Sequence, residues 1–208
     1  VENDDVALQA GIEYAHHNGV AIGYWGSTLD YDPSDDSETK DHGFEHNFYL
    51  AYAQKINQDW HYKVQTTAYY YQDGGTVYAD NGDARKTTAL DVLGELAYKD
   101  LTLGAVVMLT DVSFANAGDI YLNARYRYAL AQNFMLNSSV GASIYNSSRD
   151  DSMISTQNKI AFNEARIGVS KDIPNTAVTA SLDYVVGGKD RFDTNFDDQV
   201  VLGLNFNF

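Results

Sequence analysis

The sequence predicts an all-β protein, a single transmembrane antiparallel up-and-down β-barrel over residues 1–208, and three observations carry that expectation. Apolar and polar residues alternate in segment after segment of about ten residues, the period of a strand with two unlike faces. Connections between the segments alternate between short turns and longer polar loops. Composition agrees: 16 Tyr and 9 Phe against only 2 Pro favour strands over helices.

Eleven strands follow in order. The first two, 5–16 and 19–32, meet at the turn "HHNG". The acidic connection "DPSDDSETKDHG" leads to 44–55, and "INQD" turns into 60–72, where Trp60, Tyr62, Val64 and Tyr70 oppose His61, Lys63, Gln65 and Thr67. "DGGTVYADNGDARK" leads to 86–98, "KD" to 101–111 and "VSFANAG" to 118–130. That last segment is the clearest: Ile120, Leu122, Ala124, Tyr126, Tyr128 and Leu130 on one face, Tyr121, Asn123, Arg125 and Arg127 on the other. A helix would scatter those arginines among the apolar residues. "AQN" joins it to 133–146, and "NSSRDDSMIS" to 157–171. In "NKIAFNEARIGVSK" the helical and strand periods are hard to separate, and a strand is read from its neighbours. "IPN" leads to 176–187, with Val178, Ala180, Leu182, Tyr184 and Val186 opposite Thr179, Ser181 and Asp183. "GGKDRFDTNF" leads to 197–208, with Val200, Leu202, Leu204, Phe206 and Phe208 in one stripe. Pro33 and Pro174 both sit in connections, where a missing ladder donor does no harm.

A soluble sandwich or barrel is the competing architecture. Strands of ten to thirteen residues exceed the usual five or six but fit a tilted membrane crossing. Aromatics gather near strand ends (Tyr14, Trp60, Tyr62, Tyr70, Tyr98, Tyr126, Tyr128, Tyr184, Phe206), as interfacial girdles do. The second face is charged and hydrated instead of apolar. Mean hydropathy is −0.37 and no apolar run approaches ~18 residues, yet a barrel exposes only alternate residues to lipid.

Composition also excludes. Without cysteine there is no disulfide framework or thiolate metal site. With 14 Lys+Arg against 29 Asp+Glu, a formal charge of −15, nucleic acid is not an expected partner. The opening "VENDD" has no basic or apolar leader, so a signal peptide has been removed or lies outside this sequence. Eleven strands is odd where bacterial single-chain barrels are even, and an unpaired edge in lipid is costly. The expectation is therefore a twelve-stranded barrel whose first, ascending strand lies upstream of residue 1. The stripe ending in Phe206 and Phe208 resembles the terminal signal read by the barrel-assembly machinery.

The stretch "DVALQAGIEYAHHNGVAIGYWGSTLDY" carries a resemblance. Gln9, Gly11, Tyr14, His16, Gly19, Gly23, Trp25, Ser27 and Asp30 match a "QGG.DY.H..G.Y.G.W.SN.D"-like hairpin, and the chain is similar over 5–32 to the TorF family of porins. Ala10 departs from the pattern's first glycine, and Glu13 stands where Asp is common. The resemblance implies a bacterial outer-membrane barrel and, independently, the upstream strand.

For a barrel, the polar parity is the functional surface. The expected pore-lining residues are Glu13, Lys63, Asp91, Glu95, Arg125, Arg127, Glu164, Arg166 and Asp183, with His61 beside them. Charges so placed must pair or meet water. One reading is a narrow aqueous channel for passive diffusion of small hydrophilic solutes or ions. The other is a lumen plugged by salt bridges, with Arg125 and Arg127 clamping carboxylates, in a structural or adhesive barrel. The loops "DYDPSDDSETKD" and "KDRFDTNFDD" read as solvated acid that attracts cations or bridges to lipopolysaccharide, so a weak cation preference is expected. Asp30, Asp32, Asp35 and Asp36 lack EF-hand spacing. An outer-membrane hydrolase is the lesser alternative: His42 and His46 near Asp41 imitate a His–Asp dyad, but there is no G-x-S-x-G. Adjacent His16 and His17 should point apart, so no metal site is read there, and no cofactor is expected.

Overall fold

The computed structural model describes residues 6–30, 43–72 and 74–206. It is all-β, with no α-helix among the described residues. The strands are β1 (Gln9–Ala15), β2 (Val20–Leu29), β3 (Gly43–Lys55), β4 (Trp60–Gln72), β5 (Thr76–Tyr78), β6 (Ala84–Lys86), β7 (Ala89–Tyr98), β8 (Leu101–Met108), β9 (Ile120–Ala129), β10 (Phe134–Ile144), β11 (Ile160–Asp172), β12 (Val178–Gly187) and β13 (Gln199–Phe206). Eleven of them form one sheet in the order β1-β2-β3-β4-β7-β8-β9-β10-β11-β12-β13, each antiparallel to the next. No ladder joins β1 to β13 among the described residues.

Each of the eleven sequence segments corresponds to one of these strands; β4 matches its segment at both ends, β3 begins one residue earlier and β11 ends one residue later than expected, and the others are shorter. The fifth is corrected: Lys86 does not open it but closes a separate hairpin, β5–β6, inside the preceding loop. That hairpin was hidden because three-residue strands leave no measurable period. The ambiguous segment is β11, and its disturbed period has a cause. The β10–β11 register shifts between Gly141 and Ala142, which pair with Glu164 and Phe162 and leave Asn163 as an extra, bulged residue. A bulge puts two successive side chains out of alternation.

The parity reading is decided by exposure. Leu122, Tyr126, Leu182 and Leu204 are 41%, 42%, 50% and 63% exposed, so the apolar face looks outward. The opposite face covers itself: Ser27, Asn47, Thr67, Asp91 and Ser143 are buried there. Buried apolar residues are few and mostly small: Leu29, Ala51, Ala89, Val112, Ala115, Ile154, Ala161 and Val185. This inverts the usual arrangement, in which a sheet hides its greasy side.

Long loops gather at one end. Val112 in the β8–β9 loop is 0% exposed and packs with Ala115 against Ala89, while Tyr69 and Met108 flank the cluster. Ala89, Tyr69 and Met108 all belong to the polar parity. The β8–β9 loop therefore folds back over the polar face instead of standing clear of it. No helix among the described residues is long and apolar enough to cross a membrane, which says nothing of strands.

Candidate functional site

All nine residues expected to line a lumen lie on the polar face. The ladders set them in rows. One row runs Lys63, Glu95, Gly104, Asn123, Gly141, Glu164 and Gly187 across β4 to β12. The next, toward the short turns, runs His61, Ala97, Thr102, Arg125, Ser139, Arg166 and Val185. Arg127, Asn137, Gly168 and Asp183 form a third. Glu13 faces Gly23, which faces Tyr49; Thr67 then faces Asp91.

Several contacts skip a strand, and glycine makes room for them. The Tyr49 hydroxyl donates to Glu13 at 2.9 Å across β2, and the Tyr121 hydroxyl donates to Glu164 at 3.1 Å across β10. A Cβ on Gly141 would sit 2.7 Å from Cζ of Tyr121, so only glycine lets the ring lie over β10. Arg125 reaches over β8 to form an ion pair with Glu95. Asp91 accepts from the Tyr69 hydroxyl at 2.7 Å. Arg127, by contrast, clamps no carboxylate among the described residues, so that part of the salt-bridge expectation is corrected: its row offers it Asn137 and Gly168.

The loop end holds a second constellation that sequence reasoning missed. Arg85 of β6 is 6% exposed and fully engaged. Its Nε donates to Asp151 at 2.7 Å; Nη1 donates to the carbonyls of Val112 and Ala115 and to Oδ1 of Asn116; Nη2 donates to the Arg149 carbonyl. Arg191, from the β12–β13 loop and 3% exposed, pairs with Asp119 at 3.1 Å and lies 4.8 Å from the Tyr145 ring. Asp119 in turn accepts the amides of Asn116 and Asn146. Four loops are thus tied into one body by two guanidiniums. The expectation that the "KDRFDTNFDD" loop is simply solvated is corrected at Arg191, which is buried because Asp119 supplies its counter-charge. The partners lie 66 and 72 residues apart, and no local pattern announces them.

Electrostatics follows. For Asp151, partial burial opposes ionisation, but hydrogen bonds from Arg85 and the amides of Met153 and Ile154 outweigh it and hold the carboxyl below its ordinary range. Asp150 is lowered likewise, its burial outweighed by Thr156 and Asn116.

The remaining calls fall as follows. His46 lies on the apolar face, its Nδ1 2.9 Å from the Tyr24 hydroxyl and its ring 4.6 Å from Phe44. His42, Asp41, Asp32, Asp35 and Asp36 lie outside the described residues, as does Phe208. Phe206 is 62% exposed on the apolar face. The rings of His16 and His17 do not point apart but lie 4.0 Å from one another, because β1 ends at Ala15 and strand alternation ends with it. No group of three or more His, Asp or Glu able to hold a metal occurs among the described residues.

A family model described as "Bacterial protein of unknown function (Gcw_chp)" matches residues 1–202. The chain belongs to the Gcw_chp family. No curated protein and no solved structure is detectably similar to it. The family match spans β1 to β12 and the first half of β13, so the rows and the loop body described above both fall within the Gcw_chp region.

Proposed function

We propose that this Gcw_chp chain is a β-barrel of the bacterial outer membrane and a passive channel for small hydrophilic solutes or ions. One observation carries the reading: the apolar parity is exposed while the polar parity covers itself. In water, so many exposed Leu, Ile, Val and aromatic side chains on one continuous face would drive aggregation. In lipid the same face is buried by hydrocarbon, at about 25 cal/mol per Å² of apolar area. The few small apolar residues buried inside offer no alternative core.

Aromatic pairs support two interfaces. The Trp60 and Tyr98 rings lie 4.7 Å apart, tilted to one another, toward the short turns, and Tyr70 approaches His46 at 5.8 Å toward the loops. From Trp60 to Tyr70 is roughly 33 Å along β4 at about 3.3 Å per residue. Tilted by about 40°, that spans about 25 Å, the height of an outer-membrane apolar band. The resemblance to TorF porins points the same way, as do the nine charges sharing the polar face.

Conduction would be diffusion through water ordered by Lys63, Arg125, Arg127 and Arg166 opposite Asp91, Glu95 and Glu164. A weak cation preference would come from acid at the loop end. Lipopolysaccharide and the assembly machinery would be its partners in the membrane. Refolded protein in a planar bilayer should give discrete conductance steps. A monodisperse, detergent-free soluble protein would overturn the proposal. The plugged barrel is the second reading, favoured by Val112 and Ala115 folded over the polar face. It requires the same insertion but no steps until the loop body is loosened.

A further inference from the structure

Three arginines on β9 and β11 enclose a floor of small residues. Ser139 of β10 sits in register between Arg125 and Arg166, and Asn137 sits between Arg127 and Gly168. Arg127 and Arg166 lie two strands and two residues apart, so at about 4.8 Å between strands and about 3.3 Å per residue they stand about 12 Å from one another diagonally across Asn137 and Ser139, a gap two extended side chains can close on a ligand. Arg125 is already held by Glu95. Arg127 and Arg166 make no ion pair or side-chain hydrogen bond among the described residues, and the Ser139 hydroxyl makes none either.

Two carboxylates border the niche without closing it. Glu164 is engaged by the Tyr121 hydroxyl. Asp183 leans over Gly168: a Cβ there would lie 2.6 Å from the Asp183 carboxyl carbon. The niche thus presents two guanidiniums with free donors, a free hydroxyl and a glycine-lined wall.

We propose that Arg127, Arg166 and Ser139 form a binding site for a small doubly charged oxyanion of the phosphate or dicarboxylate class. Guanidinium forks match both oxyanions bidentately, which a lysine cannot do. As a statement about what passes through the protein, the proposal rests on the channel reading; as a statement about binding, it does not. The niche lies toward the short turns, away from the acidic loops, so an anion reaches it more readily from the turn side. A mouth that repels anions and a niche that holds them are compatible, because flux is set by the mouth and occupancy by the niche.

The test uses the full chain refolded in detergent, at low salt, titrated with inorganic phosphate and separately with succinate by calorimetry. Saturable binding of one or both is expected, and the stronger of the two names the class. Arg127→Gln and Arg166→Gln should each weaken it by at least about tenfold, the worth of a charge-assisted hydrogen bond. Asp183→Asn should tighten it, since it removes a like charge, whereas a merely structural Asp would leave affinity unchanged. Arg166→Lys, which keeps the charge but not the fork, should fall between. Neither arginine has an ion pair or side-chain hydrogen bond to lose among the described residues, so the variants should keep the wild-type shift of the folded band on unheated gels. No binding of either anion, or equal binding by both glutamine variants, overturns the site. In bilayers, phosphate should reduce single-channel current more from one side than from the other. Binding without conductance would sink the channel and spare the site; conductance steps indifferent to both anions would spare the channel and sink the site.

Discussion

Replacing Arg85 by methionine tests whether the loop body is held by one guanidinium. Methionine keeps most of the apolar stem, so the change removes donors more than volume. The carbonyls of Val112 and Ala115 would each keep one partner, since each also accepts from the other's amide, at 3.3 and 2.9 Å. They would lose a second bond, about 0.5–1.5 kcal/mol apiece. Asn116 is 0% exposed, and its Oδ1 would be left without a donor at about 1–3 kcal/mol. The Asp151 side chain, 32% exposed, and the carbonyl of the exposed Arg149 would regain water, adding little. The total is about 3 kcal/mol, or about a hundredfold in the opening equilibrium of the loop body. Hydrogen exchange reads it directly. The amides of Asn116 and Asn146, which donate to Asp119 at 2.8 Å, should exchange about a hundredfold faster, while those of β9 and β10 should not change. Arg85→Lys should give an intermediate loss, because one ammonium cannot reach all the acceptors on two loops. Unchanged exchange at Asn116 and Asn146 would refute the latch; faster exchange throughout the sheet would show that Arg85 supports the whole fold instead.

Four further outcomes are expected. Leu182→Arg should cost about 2–4 kcal/mol in urea-dependent folding into vesicles, whereas Asp183→Asn, one residue along but on the other face, should leave insertion intact; equal effects would deny the two-faced wall. The folded-state carboxyls of Asp150 and Asp151 lie below their ordinary value, so their contribution is complete above about pH 4 and is lost as pH falls through the lowered values. Pepsin should accordingly begin to cut 110–119 and 146–156 only below about pH 4, and cutting already at pH 5 would contradict the sign. Gly141→Ala should displace Tyr121 from Glu164, so its effect on thermal stability should match Tyr121→Phe and the double variant should be less than additive. A salt-gradient reversal potential should show a weak cation preference, and anion preference would count against the acidic mouth.

What the sequence made legible is what depends on neighbours two residues away. Alternation in "DIYLNARYRYAL" and "TAVTASLDYVV" needs no partner to be read, and the ladders give Arg125, Arg127 and Asp183 the same face that parity assigns them. The nine charges follow from that rule alone. Legibility fails where the period is broken or absent. The bulge at Asn163 shifts β11 by one residue, which is why the helical and strand periods overlap in "KIAFNEARIG". The β5–β6 hairpin is too short to have a period, although "ADNGD" carries its turn, with Gly82 at φ +89°.

The loop body was illegible for a different reason: its stability is tertiary from the start. Arg85 lies in a stretch with two acids within five residues upstream, Asp80 and Asp83, and local reading pairs it with those or with water. It pairs instead with Asp151, because the β10–β11 loop lies against β6 at the same end of the sheet. A buried guanidinium is stable only when nearly all its donors are met, so one local pairing could never have satisfied it. Arg85 meets that condition, whereas Arg191, whose Nε and Nη1 have no hydrogen-bond partner among the described residues, is held by its ion pair with Asp119 and by the Tyr145 ring. The scarcity of bases makes Arg127 and Arg166 informative. In a protein with about twice as many acids as bases, two arginines that meet no carboxylate among the described residues, on a face that holds several, are what leads to the proposed anion site.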